Sequence, residues 1–174
     1  MLAYGLTGEW GPTLPTPGRP AANYLKTPVA HAKCRRRFQA EVRAGRMIWG
    51  PGWDPDRIKW FLNSEFYITP CGAVPKGDDP HGRIVHNYSH EFEGISLNSA
   101  LLDNSVEYIS FKARVELLSQ VSWFVKVDLE NGYRQIQVNP REWHTQVYSL
   151  GPEEFYIDLA MPFGKANSSK KFCA

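Results

Sequence analysis

The chain is poor in cysteine. Cys34, Cys71 and Cys173 are far apart and odd in number. That argues against a disulfide framework and against a cysteine-based zinc site, and it suits a reducing compartment. No apolar run reaches the roughly 18 residues that a spanning helix needs, so no membrane partner is expected. The opening MLAYGLTGEWGPTLP has neither a basic start nor an apolar stretch, and so does not read as a secretory signal. No internal repeat is present. What is there suits a folded domain: 43% apolar and 22% charged residues over 174 positions. A core can be buried, and the length allows one ordinary domain or one domain with a loose arm.

Charge is unevenly spread. Residues 1–60 carry ten Lys/Arg against four Asp/Glu, a net of +6, and residues 61–174 carry a net of −4. The densest basic piece, HAKCRRRFQAEVRAGR, sets Lys33, Arg35, Arg36, Arg37, Arg43 and Arg46 against Glu41 alone. Two readings stand: a solvated helix face, or contact with phosphates through counterion release.

Residues 1–26 are rich in Pro and Gly, without periodicity, and read as a mobile or extended leader. Thr27-Pro28 signals a helix start, Cys34, Phe38 and Val42 share one face, and Gly45 can end the helix. Asp54-Pro55 starts a second, short helix. Residues 66–75 and 83–88 read as strands of a hairpin around the polar loop 76–82. Gly77-Asp78-Asp79 belongs to that turn, and His81, His86 and His90 lack the companions of a metal cluster. Ser110 can cap a helix with Phe111, Val115 and Leu118 on one face. WFVKVDL reads as a buried central strand. A second hairpin joins 144–150 to 154–160 through Gly151-Pro152. The expected fold class is α+β, with an antiparallel or mixed sheet covered on one face by helices.

Asp128 ends the apolar run, where a carboxylate needs a partner or a cation. Gly132 permits a tight turn, and Tyr133 presents a flat ring just beyond. Hard cations such as Mg²⁺ prefer carboxylate oxygen, often with substrate phosphates. A strand-end Asp also commonly caps a helix.

FVKVDLENGYRQIQV resembles the catalytic strand-turn of retrotransposon reverse transcriptases. VPKGDDPHGRIVHNYS resembles their fingers hairpin, and FYIDLAMPFGKANS their Met/Leu-Pro-Phe-Gly segment. The order and spacing match over residues 31–174, with a lean towards DIRS-like and then gypsy-like elements. The resemblance implies a partial right-hand polymerase: fingers and an incomplete palm over 27–174. Asp128 would be catalytic and would bind Mg²⁺. Lys76, Arg83, Leu129, Glu130, Asn131, Gly132, Tyr133, Phe163 and Gly164 would form the deoxynucleotide pocket, Tyr133 obstructing a 2′-hydroxyl. Arg35, Arg36, Arg37 and Arg43 would contact an RNA or DNA template-primer. Cytoplasm or nucleus is the expected location.

The departures matter. The family's Tyr-x-Asp-Asp segment does not occur before Ala174, and Asn87 stands where relatives usually carry Asp. Lys165, Lys170 and Lys171 fit poorly against a packed palm. The expectation is therefore a reverse-transcriptase fragment, inactive as this isolated chain. The alternatives are a non-catalytic nucleic-acid-binding remnant and a decayed element product.

Overall fold

The structure is a computed structural model that describes residues 10–18, 22–102, 110–123 and 125–173, with the side chains of His81 and Cys173 outside the description. Residues 1–9 and 19–21 of the expected leader also lie outside it, as does Phe124 of the expected strand.

Helix α1 spans Pro28–Arg43. Thr27 caps it by accepting the Ala30 N–H at 3.1 Å. Its inward stripe is Ala30, Cys34, Phe38 and Glu41, one helical turn apart. Gly45, at φ +70°, turns the chain into strand β1, Met47–Pro51. Helix α2, Pro55–Leu62, begins at Asp54, which accepts the Arg57 N–H at 2.8 Å. Strands β2, Cys71–Lys76, and β3, Asp79–His86, form the first hairpin, with Gly77 at φ +59° in its turn.

Two short strands follow, β4 (Glu91–Phe92) and β5 (Ile95–Ser96), then helix α3 (Leu97–Ala100). Helix α4, Phe111–Ser119, is capped by Ser110. After 3₁₀ turns at Gly132–Gln135 and Pro140–Thr145 come β6, Val147–Gly151, and β7, Glu154–Asp158. Helix α5 is Ser168–Cys173.

β1, β7 and β6 form an antiparallel sheet in that order, with Met47 opposite Asp158 and Val147 opposite Ile157. Alternation along the strands divides the core in two. Tyr148, Leu150 and Tyr156 pack with Cys34 and Phe38 of α1. Val147, Phe155 and Ile157 pack with Ile58 of α2. The sheet is therefore covered on both faces, not one, because α2 brings its own apolar stripe to the second face.

Three further expectations change. The described residues of WFVKVDL, 123–129, form no buried strand: Val125 is 72% and Val127 76% exposed. A strand is held by its neighbours' hydrogen bonds, and among the described residues none pairs with it. The α4 face of Phe111, Val115 and Leu118 is likewise exposed. Residues 66–70 join the core without forming a strand, Ile68 bridging to Val147 and the Thr69 N–H donating to the Val147 carbonyl at 2.9 Å.

The described part of 1–26 lies on the body rather than apart from it. Leu25 is buried, Leu14 packs on the first core, and Trp10 donates Nε1–H to both Glu142 oxygens at 2.8 and 3.0 Å. Lys165 also fits its surroundings. It is buried 3.6 Å from Glu142 and 4.9 Å over the Trp10 ring, an anion and a ring face that sequence pattern alone does not reveal; they offset part of its desolvation, though burial still holds its pKa below the ordinary value.

Candidate functional site

The site grows from three pieces of chain around α1. Lys76 and Arg83 stand on the β2–β3 hairpin, in a register where Val74 faces Arg83 and Lys76 faces Asp79. The turn after Asp128 places Asn131 in the left-handed region at φ 52° and leads into the 3₁₀ turn of Gly132 and Tyr133. The segment Met161 to Gly164 follows β7, and Gly164 at φ +97° runs so close to β3 that a Cβ would lie 2.4 Å from the His86 carbonyl oxygen. Only glycine fits there, and this close approach places Phe163.

Between these pieces lies a cleft of about 810 Å³. Lys33, Arg36 and Arg37 of α1 line it together with Lys76 and Arg83 of the hairpin, with Leu129, Asn131, Gly132 and Phe163, and with the buried Glu41 and Arg134 among the remaining lining residues. Lys33 pairs with Asp79 at the hairpin turn. Arg37 donates to Asn131 Oδ1 at 3.3 Å and lies 3.1 Å from Glu41. Among the described residues Arg36, Lys76 and Arg83 have no carboxylate partner. Converging cations of this kind suit a polyanion.

A smaller adjoining cleft of about 310 Å³ is lined by Val127, Asp128, Leu129, Gly132, Tyr133, Phe163 and Phe172. Tyr133 packs against Phe163 and Phe172, with ring centroids 4.8 and 4.9 Å apart, and its hydroxyl is 2.9 Å from Ser169 Oγ. Leu129, Gly132 and Phe163 belong to both clefts, so Asp128 and the cationic walls meet across one turn of chain.

The remaining expected residues stand elsewhere. Glu130 is exposed and lines neither cleft, though its carboxylate lies 3.4 Å from Asn131 Nδ2. Gly164 acts through Phe163 rather than as a wall. Arg35 points to β7 and holds Glu154 through two nitrogens at 2.7 and 2.6 Å, which raises its pKa. Arg43 is exposed and outside the cleft. The run of arginines is thus divided by helical rotation: Arg36 and Arg37 turn to the cleft and Arg35 turns away.

Beneath the cleft lies a charged network that sequence reasoning missed. Arg134 reaches Asp158 through Nη1 and Nη2 at 2.6 and 2.7 Å and Glu41 through Nη2 at 3.1 Å. Arg46 Nε donates to Glu41 at 2.7 Å. Burial opposes the Arg134 charge, but the Asp158 carboxylate outweighs it and holds the guanidinium above its ordinary pKa. Burial likewise pushes the Glu41 carboxyl up, and the Arg46 hydrogen bond with the Arg134 charge brings it below its ordinary value. One sequence signal was available: Glu41 falls on the apolar face of α1, three residues after Phe38.

Asp128 is the carboxylate of the smaller cleft. Among the described residues no three His, Cys, Asp or Glu converge as metal ligands. One carboxylate matches the sparse protein ligation that Mg²⁺ tolerates when phosphates and water complete its shell, but it does not make a two-metal clamp.

No protein-family profile and no curated protein matches the chain. Solved structures do. A foamy viral protease-reverse transcriptase in complex with double-stranded DNA superposes at a TM-score of 0.58 with 16% identity, over 96% of this chain and 27% of that one. The native prototype foamy virus protease-reverse transcriptase gives 0.60 and 18%, over 97% and 20%. The foamy viral enzyme in complex with RNA/DNA hybrid gives 0.60 and 16%, over 97% and 21%. The chain thus spans about a fifth to a quarter of the length of these structures, and over almost all of its own length it has a reverse-transcriptase-like fold.

Proposed function

We propose that this chain is part of a retrotransposon reverse transcriptase, of DIRS-like or gypsy-like origin, and that its two joined clefts receive an incoming deoxynucleoside triphosphate beside a template-primer. One observation carries this reading: Lys76, Arg83 and the Leu129–Gly132 turn line a single cleft that opens beside Asp128 and Tyr133. A volume of about 810 Å³ suits a nucleotide. The cations of the hairpin neutralise the phosphates, and guanidinium forks match their oxygens. Tyr133, braced by Phe163 and Phe172, presents a fixed ring where the sugar would rest and works against a 2′-hydroxyl.

Asp128 would hold Mg²⁺, which when bound polarises the attacking and leaving oxygens of phosphoryl transfer. Among the described residues Asp128 is the one carboxylate lining the smaller cleft, and Glu41 of the larger is engaged by Arg46 and Arg134, so the isolated 174-residue chain binds deoxynucleotide but does not extend a primer. The nucleic acids in the foamy viral complexes support a template-primer as the partner of this fold.

The test pairs equilibrium binding of a fluorescent deoxynucleotide with primer extension on RNA. Lys76→Ala with Arg83→Ala should weaken nucleotide binding by roughly tenfold or more. Unchanged binding in that variant would refute the pocket, and robust extension lost in Asp128→Ala would refute inactivity. A second reading, nucleic-acid binding without chemistry, draws on the single carboxylate. It requires RNA affinity that falls steeply with salt.

A further inference from the structure

Helix α1 is the part of the cleft that its charge alone leaves ambiguous. Its arginines suit a template backbone as well as a nucleotide. The structure divides them. Arg35 is engaged by Glu154, and Arg43 lies outside the cleft. Arg36 and Arg37 line the same cavity as Lys76 and Arg83. Two pairings tie α1 to the other pieces of the cleft, Lys33 with Asp79 at the hairpin turn and Arg37 with Asn131. Its floor carries His86, whose ring stacks on Phe38 at 5.8 Å and on Tyr148 at 4.3 Å.

We propose that Arg36 and Arg37 of α1 are ligands of the polyphosphate end of the deoxynucleoside triphosphate, opposite the hairpin cations, and not of a template strand. The inference rests on the nucleotide reading of the cleft. Three observations carry it. Arg36 faces the cavity with no carboxylate partner among the described residues. Arg37 is held in place by Glu41 and Asn131, so it is already oriented when an anion arrives. Cations from two elements, Arg36 and Arg37 of α1 and Lys76 and Arg83 of the hairpin, line one cleft, and the Lys33–Asp79 pair ties those elements together, a concentration of charge that suits a compact polyphosphate.

The experiment titrates the full chain with a fluorescent deoxyadenosine triphosphate, with inorganic tripolyphosphate as competitor, and separately with a short single-stranded RNA. Arg36→Ala should weaken the nucleotide and the tripolyphosphate alike, by roughly tenfold, and leave RNA affinity and thermal midpoint unchanged. Arg36→Lys should recover part of the loss, since the charge returns without the fork. Arg36→Gln serves if alanine alters the melt. If Arg36→Ala binds nucleotide like the parent while Lys76→Ala with Arg83→Ala does not, this inference is wrong and the pocket stands. If none of the variants loses nucleotide, both fall. Loss of RNA binding with nucleotide binding intact would return α1 to the template and overturn the proposal.

Discussion

Arg134 holds Asp158 through both terminal nitrogens, at 2.6 and 2.7 Å, and the carboxylate it holds is wholly buried. The pair joins the end of β7 to the turn that carries Gly132 and Tyr133, and Glu41 extends it to α1. Such a pair is costly to form and costlier to break, because removing one partner strands the other charge away from water. Arg134→Met should therefore lower stability by about 3–5 kcal/mol, read from urea midpoints. Arg134→Met with Asp158→Leu should recover most of it, since Glu41 keeps Arg46 and Arg37. A double variant no more stable than the single one would show that charge stranding is not the cause.

His86 should make stability depend on pH. Burial, then the Arg134 charge, pushes its pKa from 6.5 down to about 3. Above 6.5 the ring is neutral in both states. Between 6.5 and 3 the unfolded chain takes up a proton that the folded chain refuses, so stability falls as pH falls. Glu41 and Glu154, both held below 4.5, add their own losses only lower in that range. His86→Phe keeps a ring between Phe38 and Tyr148 and should flatten the upper part of the profile. Parallel profiles for parent and variant, measured by denaturant titration, would exclude His86 as the source.

Gly164→Ala should be poorly tolerated. The residue combines φ +97° with a Cβ position 2.4 Å from backbone, and backbone cannot step aside cheaply. A loss on the order of 1–3 kcal/mol is expected, together with displacement of Phe163 from Tyr133. Gly132→Ala is the contrasting case. Its Cβ would meet the Phe172 ring tip at 2.8 Å, a side chain that can move. Thermal midpoints should fall further for Gly164→Ala than for Gly132→Ala, and the reverse order would contradict this account.

The stretch from α4 to Leu129 should make the chain adhesive. Phe111, Trp123, Val125 and Val127 are each more than 70% exposed. Apolar surface on this scale invites association. Trp123→Lys with Val125→Lys should reduce light scattering and dye binding without lowering the melting temperature. A drop in melting temperature would mean that these side chains pack in solution.

Much of the fold was legible because it is local. Thr27, Asp54 and Ser110 cap helices where a hydroxyl or carboxylate precedes Pro or an apolar stripe, and both main hairpins follow from alternation and their turn residues. β1 was not legible, since MIWGP is short and its Gly50-Pro51 reads as a turn rather than as strand. The strand expected at 123–129 failed for a related reason. Its apolar run has strand character, but pairing is decided by a neighbour, and none is described beside it.

The candidate site divides the same way. Asp128, the Gly132-Tyr133 turn and the Lys76/Arg83 hairpin could be chosen from motif order. Lys165 could not be placed, because its partners Glu142 and Trp10 lie far away in sequence. Sequence by itself determined which short segments cap, turn and alternate, since those choices depend on residues within a few positions of one another. Only the tertiary structure decided that Arg134 reaches Glu41 across 93 residues, and that Arg36 faces the hairpin cations while its neighbour Arg35 faces Glu154. The physical reason is that long-range charge pairing and cleft geometry depend on how elements dock, and docking is set by the two apolar faces of the sheet rather than by any local run of residues.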